Sequence, residues 1–315
     1  MAEPAAIVGR LAPSPSGRLH LGHARTFVLA WAHVRSRGGQ LRLRLEDLDA
    51  ARCRPELVRG VVEDLEWLGL DWDGPAVLQS TGLDRVREAA RSLLLAGHAY
   101  ECFCSRADLK QAASAPQRGD EELRYPGTCR PVGSRPAVAG NRPSALRLSA
   151  PDGSVSFCDG ILGPQSFDVA ADVGDFVLTN RARHPAYQLA VVVDDAAQGV
   201  TEVFRGDDLL SSTARQILIG RALELVAPAW FHVPLVLDES GRRLAKRADD
   251  LSLASLRESG TDARAILGWI AASSGFQLDD RPQISELRDT FDLERLCREP
   301  VTLSHDVISN LRCAR

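Results

Sequence analysis

The 315-residue chain has no apolar run long enough to cross a bilayer; stretches such as "LAVVVDD" are far too short. Its opening, MAEPAAIVGRLAP, lacks the basic segment and apolar core of a secretion signal. The cysteines number seven, an odd count, and without such a signal a disulfide framework is not expected. A reducing cytoplasm is the expected location, with no membrane partner, which leaves the cysteines for metal binding or burial. Excess positive charge is missing too. The formal net charge of −4 provides no overall basic field for non-specific nucleic-acid binding, although a local basic groove stays compatible with it. There is no internal repeat and no coiled-coil pattern, which suits a monomer, and no low-complexity tract beyond residues 112–143.

What is present is a soluble, globular composition with length for two or three modules. Strand-like and helix-like patterns alternate through the first hundred residues. Ile7 to Ala12 reads as a strand, followed by a glycine-rich turn and a helix over about residues 23–36. "QLRLRLED" alternates as a strand, with Leu41, Leu43 and Leu45 on one face. "PELVRGVVEDLEWLGL" opens with proline in a helix's first turn, "AVLQS" suits another strand, and "TGLDRVREAARSLLLAGHAY" another helix. That order predicts a parallel sheet with helices on both faces. From residue 100 the chain becomes rich in Pro, Gly and Arg, an irregular inserted module that runs into short strands near 144–158. Parallel-strand character returns at "YQLAVVVDD" and "VTEVFRGDD"; a helix at "STARQILIGRALELV" and the segment "FHVPLVLDESG" follow, and the last 70 or so residues look helical.

Two constellations carry chemistry. In "GRLAPSPSGRLHLGHARTF", residues 9–27, a strand, a tight turn and a helix start are compressed together. Ligands of open α/β sheets bind beyond the strands' carboxyl ends, at a helix N-terminus. Gly17 and Gly22 would let a phosphate-bearing ligand touch the backbone there, and His20 and His23 would donate hydrogen bonds as charge develops. Capping or surface histidines are the plainer alternative. In the irregular module, Cys102, Cys104 and Cys129 suit one structural Zn2+ that replaces a core the segment does not build. The fourth ligand stays open on spacing alone, with His98 or a carboxylate as first choices.

"RLAPSPSGRLHLGH" resembles the signature of class I aminoacyl-tRNA synthetases of the glutamyl/glutaminyl branch, with "HLGH" in place of the family's HIGH tetrapeptide. The resemblance continues through "RLRLEDLDAARCRPELVRGVVEDLEWLGLDWDG", "AYQLAVVVDDAAQGVTEVFRGDDLLSSTARQI" and "FHVPLVLDESGRRLAKR", over most of residues 7–247. It implies an α/β fold: a class I synthetase Rossmann-like parallel sheet with an inserted zinc-binding α/β module and a small C-terminal helical region. Residues 1–99 and 181–240 would be the two halves of the catalytic domain and 100–180 the inserted, acceptor-type module. Residues 241–315 would hold the KMSKS-like loop and a helical stem-contact region without an anticodon-binding domain. The implied chemistry joins ATP, with Mg2+, and an amino acid into an aminoacyl-adenylate. By the same resemblance His20, Gly22, His23, Arg243 and Lys246 bind ATP, with His20, His23 and Lys246 catalytic. Arg10, Leu11, Ala12, Pro13, Ser14, Glu46, Tyr187 and Arg205 line a glutamate pocket. The loop "RRLAKR" departs from the family pattern, with arginine for the first lysine, alanine for the serine at Ala245 and arginine at Arg247.

Cys-x-Cys followed by Tyr-x3-Cys resembles one subfamily, the glutamyl-queuosine tRNA(Asp) synthetases, and implies that Tyr125 is the fourth zinc ligand. Val191, where ordinary glutamyl enzymes carry asparagine, points the same way. So do the mere 69 residues after Lys246, too few for a large anticodon-binding region. The implied partners are L-glutamate, ATP and the anticodon stem-loop of tRNA(Asp), whose queuosine base receives the glutamyl group. Arg118, Arg124, Arg130, Arg135 and Arg142 are candidates for its phosphates. The alternatives are a compact glutamyl-tRNA synthetase charging a 3′ end with a separate anticodon-reading partner, and a non-catalytic tRNA-binding paralogue.

Overall fold

Two blocks of parallel strands meet edge to edge at Val8 and Thr201. The computed structural model describes residues 6–105, 107–109, 124–131, 143–244 and 252–314. The first block holds β1 (Val8–Leu11), β2 (Gln40–Leu45) and β3 (Val77–Leu78), with Val8 opposite Gln40 and Arg44 opposite Val77. The second holds β6 (Val155–Asp159), β9 (Glu202–Gly206) and β10 (Ala229–Val233), with Ala229 opposite Glu202 and Trp230 opposite Asp159. An antiparallel hairpin partner, β7 (Gly163–Phe167), flanks β6. The Thr201 N–H donates to the Val8 carbonyl at 2.9 Å, and the Val8 N–H donates to Thr201 Oγ1 at 2.9 Å. From β1 the chain builds outward one way, and from β9 the other. The β1/β9 junction is therefore the switch point where such sheets bind ligands.

The helices lie on both faces. Helix α1 (Leu21–Arg35) is buried along most of its length, and Val34 comes so close to β1 that a methyl group on Gly9 would sit 2.4 Å from its Cγ2. It shares a core with α2 (Pro55–Trp67), whose Pro55 opens the first turn as expected. A second core joins α3 (Leu83–Leu95), α5 (Tyr187–Ala197) and α6 (Leu210–Ala222). It extends into a separate antiparallel sheet of β4 (Ala99–Cys102), β5 (Ala145–Leu148) and β8 (Phe176–Thr179), with the short α4 (Val169–Asp172) beside it. The C-terminal segment carries α7 (Leu253–Glu258), α8 (Ala263–Ser273), α9 (Ile284–Thr290) and α10 (His305–Cys313). It also returns a two-residue strand, β12 (Val301–Thr302), to pair with β11 (Val236–Leu237). Among the described residues no helix is long and apolar enough to cross a membrane.

Two expected elements change. "YQLAVVVDD" is helix α5, not a parallel strand. Its β-branched run favours extended backbone locally, but helical spacing buries Leu189, Ala190 and Val193 in one core, and that burial overrides propensity. The helix also turns adjacent carboxylates about 100° apart rather than to opposite faces. Asp194 thereby meets Gln79 and Arg85 while Asp195 meets Arg44. The helix expected through "LAGHAY" stops at Leu95, a positive-φ Gly97 follows, and Ala99 and Tyr100 begin β4.

Candidate active site

A cavity of about 220 Å3 opens at the β1/β9 junction. Its walls bring together Arg10, Ala12, His20, Gly22, His23, Glu46, Tyr187, Arg205 and Arg243, all anticipated from the sequence. Leu11 instead faces the core, fully buried. Pro13 and Ser14 lie outside the lining and act on Glu46: the Pro13 carbonyl accepts the Glu46 N–H at 2.9 Å, and Ser14 Oγ donates to the Glu46 carbonyl at 3.2 Å. Val191 is buried on α5 and does not line the cavity. A larger cavity of about 330 Å3 between α5, α6 and β10 contains none of the anticipated residues.

Each charged side chain reaches the cavity because its strand ends there. Arg10 and Arg205 sit one residue before the ends of β1 and β9, and Glu46 follows β2. Four of the buried charges form one cluster. Arg44 donates to Asp195 at 2.7 Å and to Glu46 at 3.2 Å, and Arg10 Nε lies 3.5 Å from the same Asp195 oxygen. Burial would lift the Asp195 pKa, but Arg44 and Arg10 outweigh it and hold the carboxyl below its ordinary range. For Glu46 burial wins over the pull of Arg44 and Arg10, and its pKa rises.

Arg205 is different. It is buried, and its described partners are all neutral: His232 Nε2 at 3.0 Å, Gln216 Oε1 at 2.9 Å, Thr213 Oγ1 at 2.7 Å and the Leu209 carbonyl at 3.2 Å. Among the described residues no carboxylate stands within salt-bridge distance of it, and burial lowers its pKa. Such a cation at a cavity wall calls for an anion.

The two histidines do cap α1, as the plainer alternative held, and they line the cavity as well. The His20 Nδ1 accepts the Gly22 N–H at 3.1 Å, and the His23 Nδ1 accepts the His20 N–H at 3.3 Å. The rings stack at 3.7 Å. With Nδ1 accepting, each ring carries its proton on Nε2, the donor that a phosphate oxygen needs. Gly22 leaves room for this stack: a methyl group there would lie 3.1 Å from the His20 ring. Arg243 reaches the cavity and pairs with Asp208. Ala245, Lys246 and Arg247 lie outside the described residues, as do Arg118, Arg135 and Arg142. Arg130 is engaged with Asp175 and the Ala150 carbonyl, and Arg124 with the Ala170 carbonyl.

In the module around β4, the Sγ atoms of Cys102, Cys104 and Cys129 all lie within 4.8 Å of one another. The Tyr125 hydroxyl stands 3.4 Å from Cys102 Sγ and 3.8 Å from Cys104 Sγ, and accepts the Cys129 N–H at 2.8 Å. Three thiols and a phenol oxygen converge as a four-donor set, which fits a tetrahedral ion. Arg147 stacks over the Tyr125 ring at 3.9 Å and donates to Cys102 Sγ at 3.4 Å, a cation where such a ligand set accumulates negative charge.

Sequence reasoning missed Arg44 and Asp195 of the charge cluster, and it missed His232. His232 on β10 is completely buried, with Nδ1 2.6 Å from the Asp159 carboxylate. A histidine inside the apolar strand "FHVPLV" was the available signal.

The family described as tRNA synthetases class I (E and Q), catalytic domain, matches residues 6–307. The chain belongs to it and is a class I aminoacyl-tRNA synthetase-type ligase. It is 47% identical to the Glutamyl-Q tRNA(Asp) synthetase of Symbiobacterium thermophilum, over 97% of this chain and 98% of that one. With the enzyme of the same name from Nitratidesulfovibrio vulgaris it shares 44% identity at the same coverage. These matches put it in the glutamyl-Q tRNA(Asp) synthetase family. The glutamate-tRNA synthetase structure from Elizabethkingia anophelis superposes with a TM-score of 0.82 at 26% identity, over 97% of this chain but 70% of that one.

The charge cluster makes a stability prediction. Replacing Arg44 with methionine removes the closer of the two cations beside Asp195 and the one hydrogen-bonded to Glu46, and breaking one side of a buried ion pair costs about 3–5 kcal/mol. Denaturant unfolding of R44M should show a loss of that order; wild-type stability would refute the cluster's role.

Proposed function

We propose that the protein activates L-glutamate with ATP and Mg2+ and transfers the glutamyl group to the queuosine base of tRNA(Asp). A glutamate carboxylate oxygen attacks the α-phosphorus in line, pyrophosphate leaves, and a hydroxyl on queuosine then displaces AMP from the acyl carbon. Positioning and charge stabilisation supply the catalysis. His20 and His23 donate to phosphate oxygens beside Gly22, with Arg243 and Lys246 on the nucleotide. Glu46 takes the substrate ammonium, which holds it ionised against burial, while Arg10 and Arg205 take carboxylates beside Tyr187.

The observation that carries this assignment is Arg205, a buried cation on the cavity wall without a carboxylate partner among the described residues. The transfer step is supported by similarity along nearly the whole length of relatives named for it. Within residues 100–180, the sheet of β4, β5 and β8 with the cysteine segment serves as the inserted module while β6 and β7 join the catalytic sheet beside β10; the two flanking segments serve as the catalytic halves and the C-terminal helices as a stem contact. The protein acts as a cytoplasmic monomer.

A hydrogen bond to a charged group contributes about 1.5–3 kcal/mol, so glutamate should be preferred over glutamine by about ten- to a hundredfold. ATP–pyrophosphate exchange without tRNA tests this. Glutamate-dependent exchange is expected, and equal use of glutamine, or no exchange at all, would refute it.

We also propose that Cys102, Cys104, Tyr125 and Cys129 hold one structural Zn2+, which when bound ties β4 to the segment around Tyr125. Structural zinc sites contribute roughly 10–16 kcal/mol of binding energy in small peptides. Metal analysis should find one zinc per chain, C129A should lose it, and chelation should lower the unfolding temperature. A metal-free protein with an unchanged melt would contradict the site.

A further inference from the structure

The acceptors around Arg205 are themselves held in place. Gln216 donates its amide nitrogen to Gln188 Oε1 at 2.8 Å, which turns its oxygen toward Arg205. Behind His232, Asp159 Oδ1 accepts the backbone N–H groups of Ile161 at 3.0 Å, Leu162 at 2.9 Å and His232 at 3.2 Å. These donors keep Asp159 anionic and fix its second oxygen on His232 Nδ1.

We propose that Asp159 and His232 form a positioning pair for Arg205. The carboxylate keeps the ring proton on Nδ1, and the buried Nε2 lone pair, which also faces Thr213 Oγ1 at 3.2 Å, accepts the Arg205 Nε–H at 3.0 Å and aims the guanidinium at the cavity. The opposite tautomer would leave Nε2–H only Thr213 Oγ1 to donate to and would set it against the Arg205 Nε–H at the shorter contact. A carboxylate bound directly to Arg205 would orient it equally well but cancel its charge. Placing the anion one imidazole ring away keeps the orientation and leaves the positive charge for the ligand. The inference rests on the assignment of Arg205 to a substrate carboxylate.

Asp159→Asn is the decisive variant. The carbonyl of the introduced amide keeps the backbone N–H groups, its NH2 donates to His232 Nδ1, and the ring proton moves to Nε2, facing Arg205. In ATP–pyrophosphate exchange the KM for glutamate should rise about 10²-fold, the effect of roughly 1 Å of misplacement, while the KM for ATP stays unchanged. His232→Gln, whose amide oxygen reaches the Nε2 position, should keep most of the glutamate affinity that His232→Leu loses. Imidazole 15N shifts should place the wild-type His232 proton on Nδ1 and the D159N proton on Nε2.

A wild-type proton on Nε2 would overturn the inference. So would folded D159N or H232L with the wild-type KM for glutamate. Failure of the wild-type enzyme to exchange with glutamate would instead refute the substrate assignment, and the 15N tautomer would still decide this one.

Discussion

Four buried charges, Arg10, Arg44, Glu46 and Asp195, hold the catalytic face in one geometry. They come from β1, from β2, from the residue after it and from α5, so their pairing ties the first block of strands to that helix. Two cations and two anions balance within the cluster. Arg205 stands outside that balance, and its charge remains available. The separation explains how one small cavity holds several ionic groups without neutralising all of them.

Much of this arrangement is legible in the sequence because strand ends and charges coincide. Arg10 in "VGRL", Glu46 after "QLRLRL" and Arg205 in "EVFRG" each sit where a strand delivers its side chain to the same edge. The alternation of Leu41, Leu43 and Leu45 is visible in the same way, and all three are buried. Arg44 is not legible, since nothing local distinguishes it from a solvated arginine; Asp195, 151 positions away, makes it a buried one. The helix at "YQLAVVVDD" escapes for a related reason. Its β-branched residues speak for a strand, and only the core across from Leu189 and Val193 decides otherwise.

The module around β4 follows a different physical logic. Among the described residues, the cluster on its cysteine side holds Tyr100, Cys102, Phe103, Tyr125 and Cys129. Convergent thiols and a phenol offer metal bonds in place of apolar burial, with Arg147 set against their charge. Spacing alone points to three of these donors, and the subfamily resemblance adds Tyr125. Its hydroxyl stands among the sulfurs, so tertiary proximity supplies what sequence distance conceals.

On the proposed function, an adenylate-forming site of the glutamyl-tRNA synthetase type serves a modified base rather than a tRNA 3′ end. The most direct measurement is transfer of labelled glutamate, with ATP, to queuosine-containing tRNA(Asp) that ends in 2′,3′-dideoxyadenosine. Label is expected on that RNA, and none on the same tRNA lacking queuosine. Label that appears only on tRNA(Glu) with an intact 3′ end would contradict it.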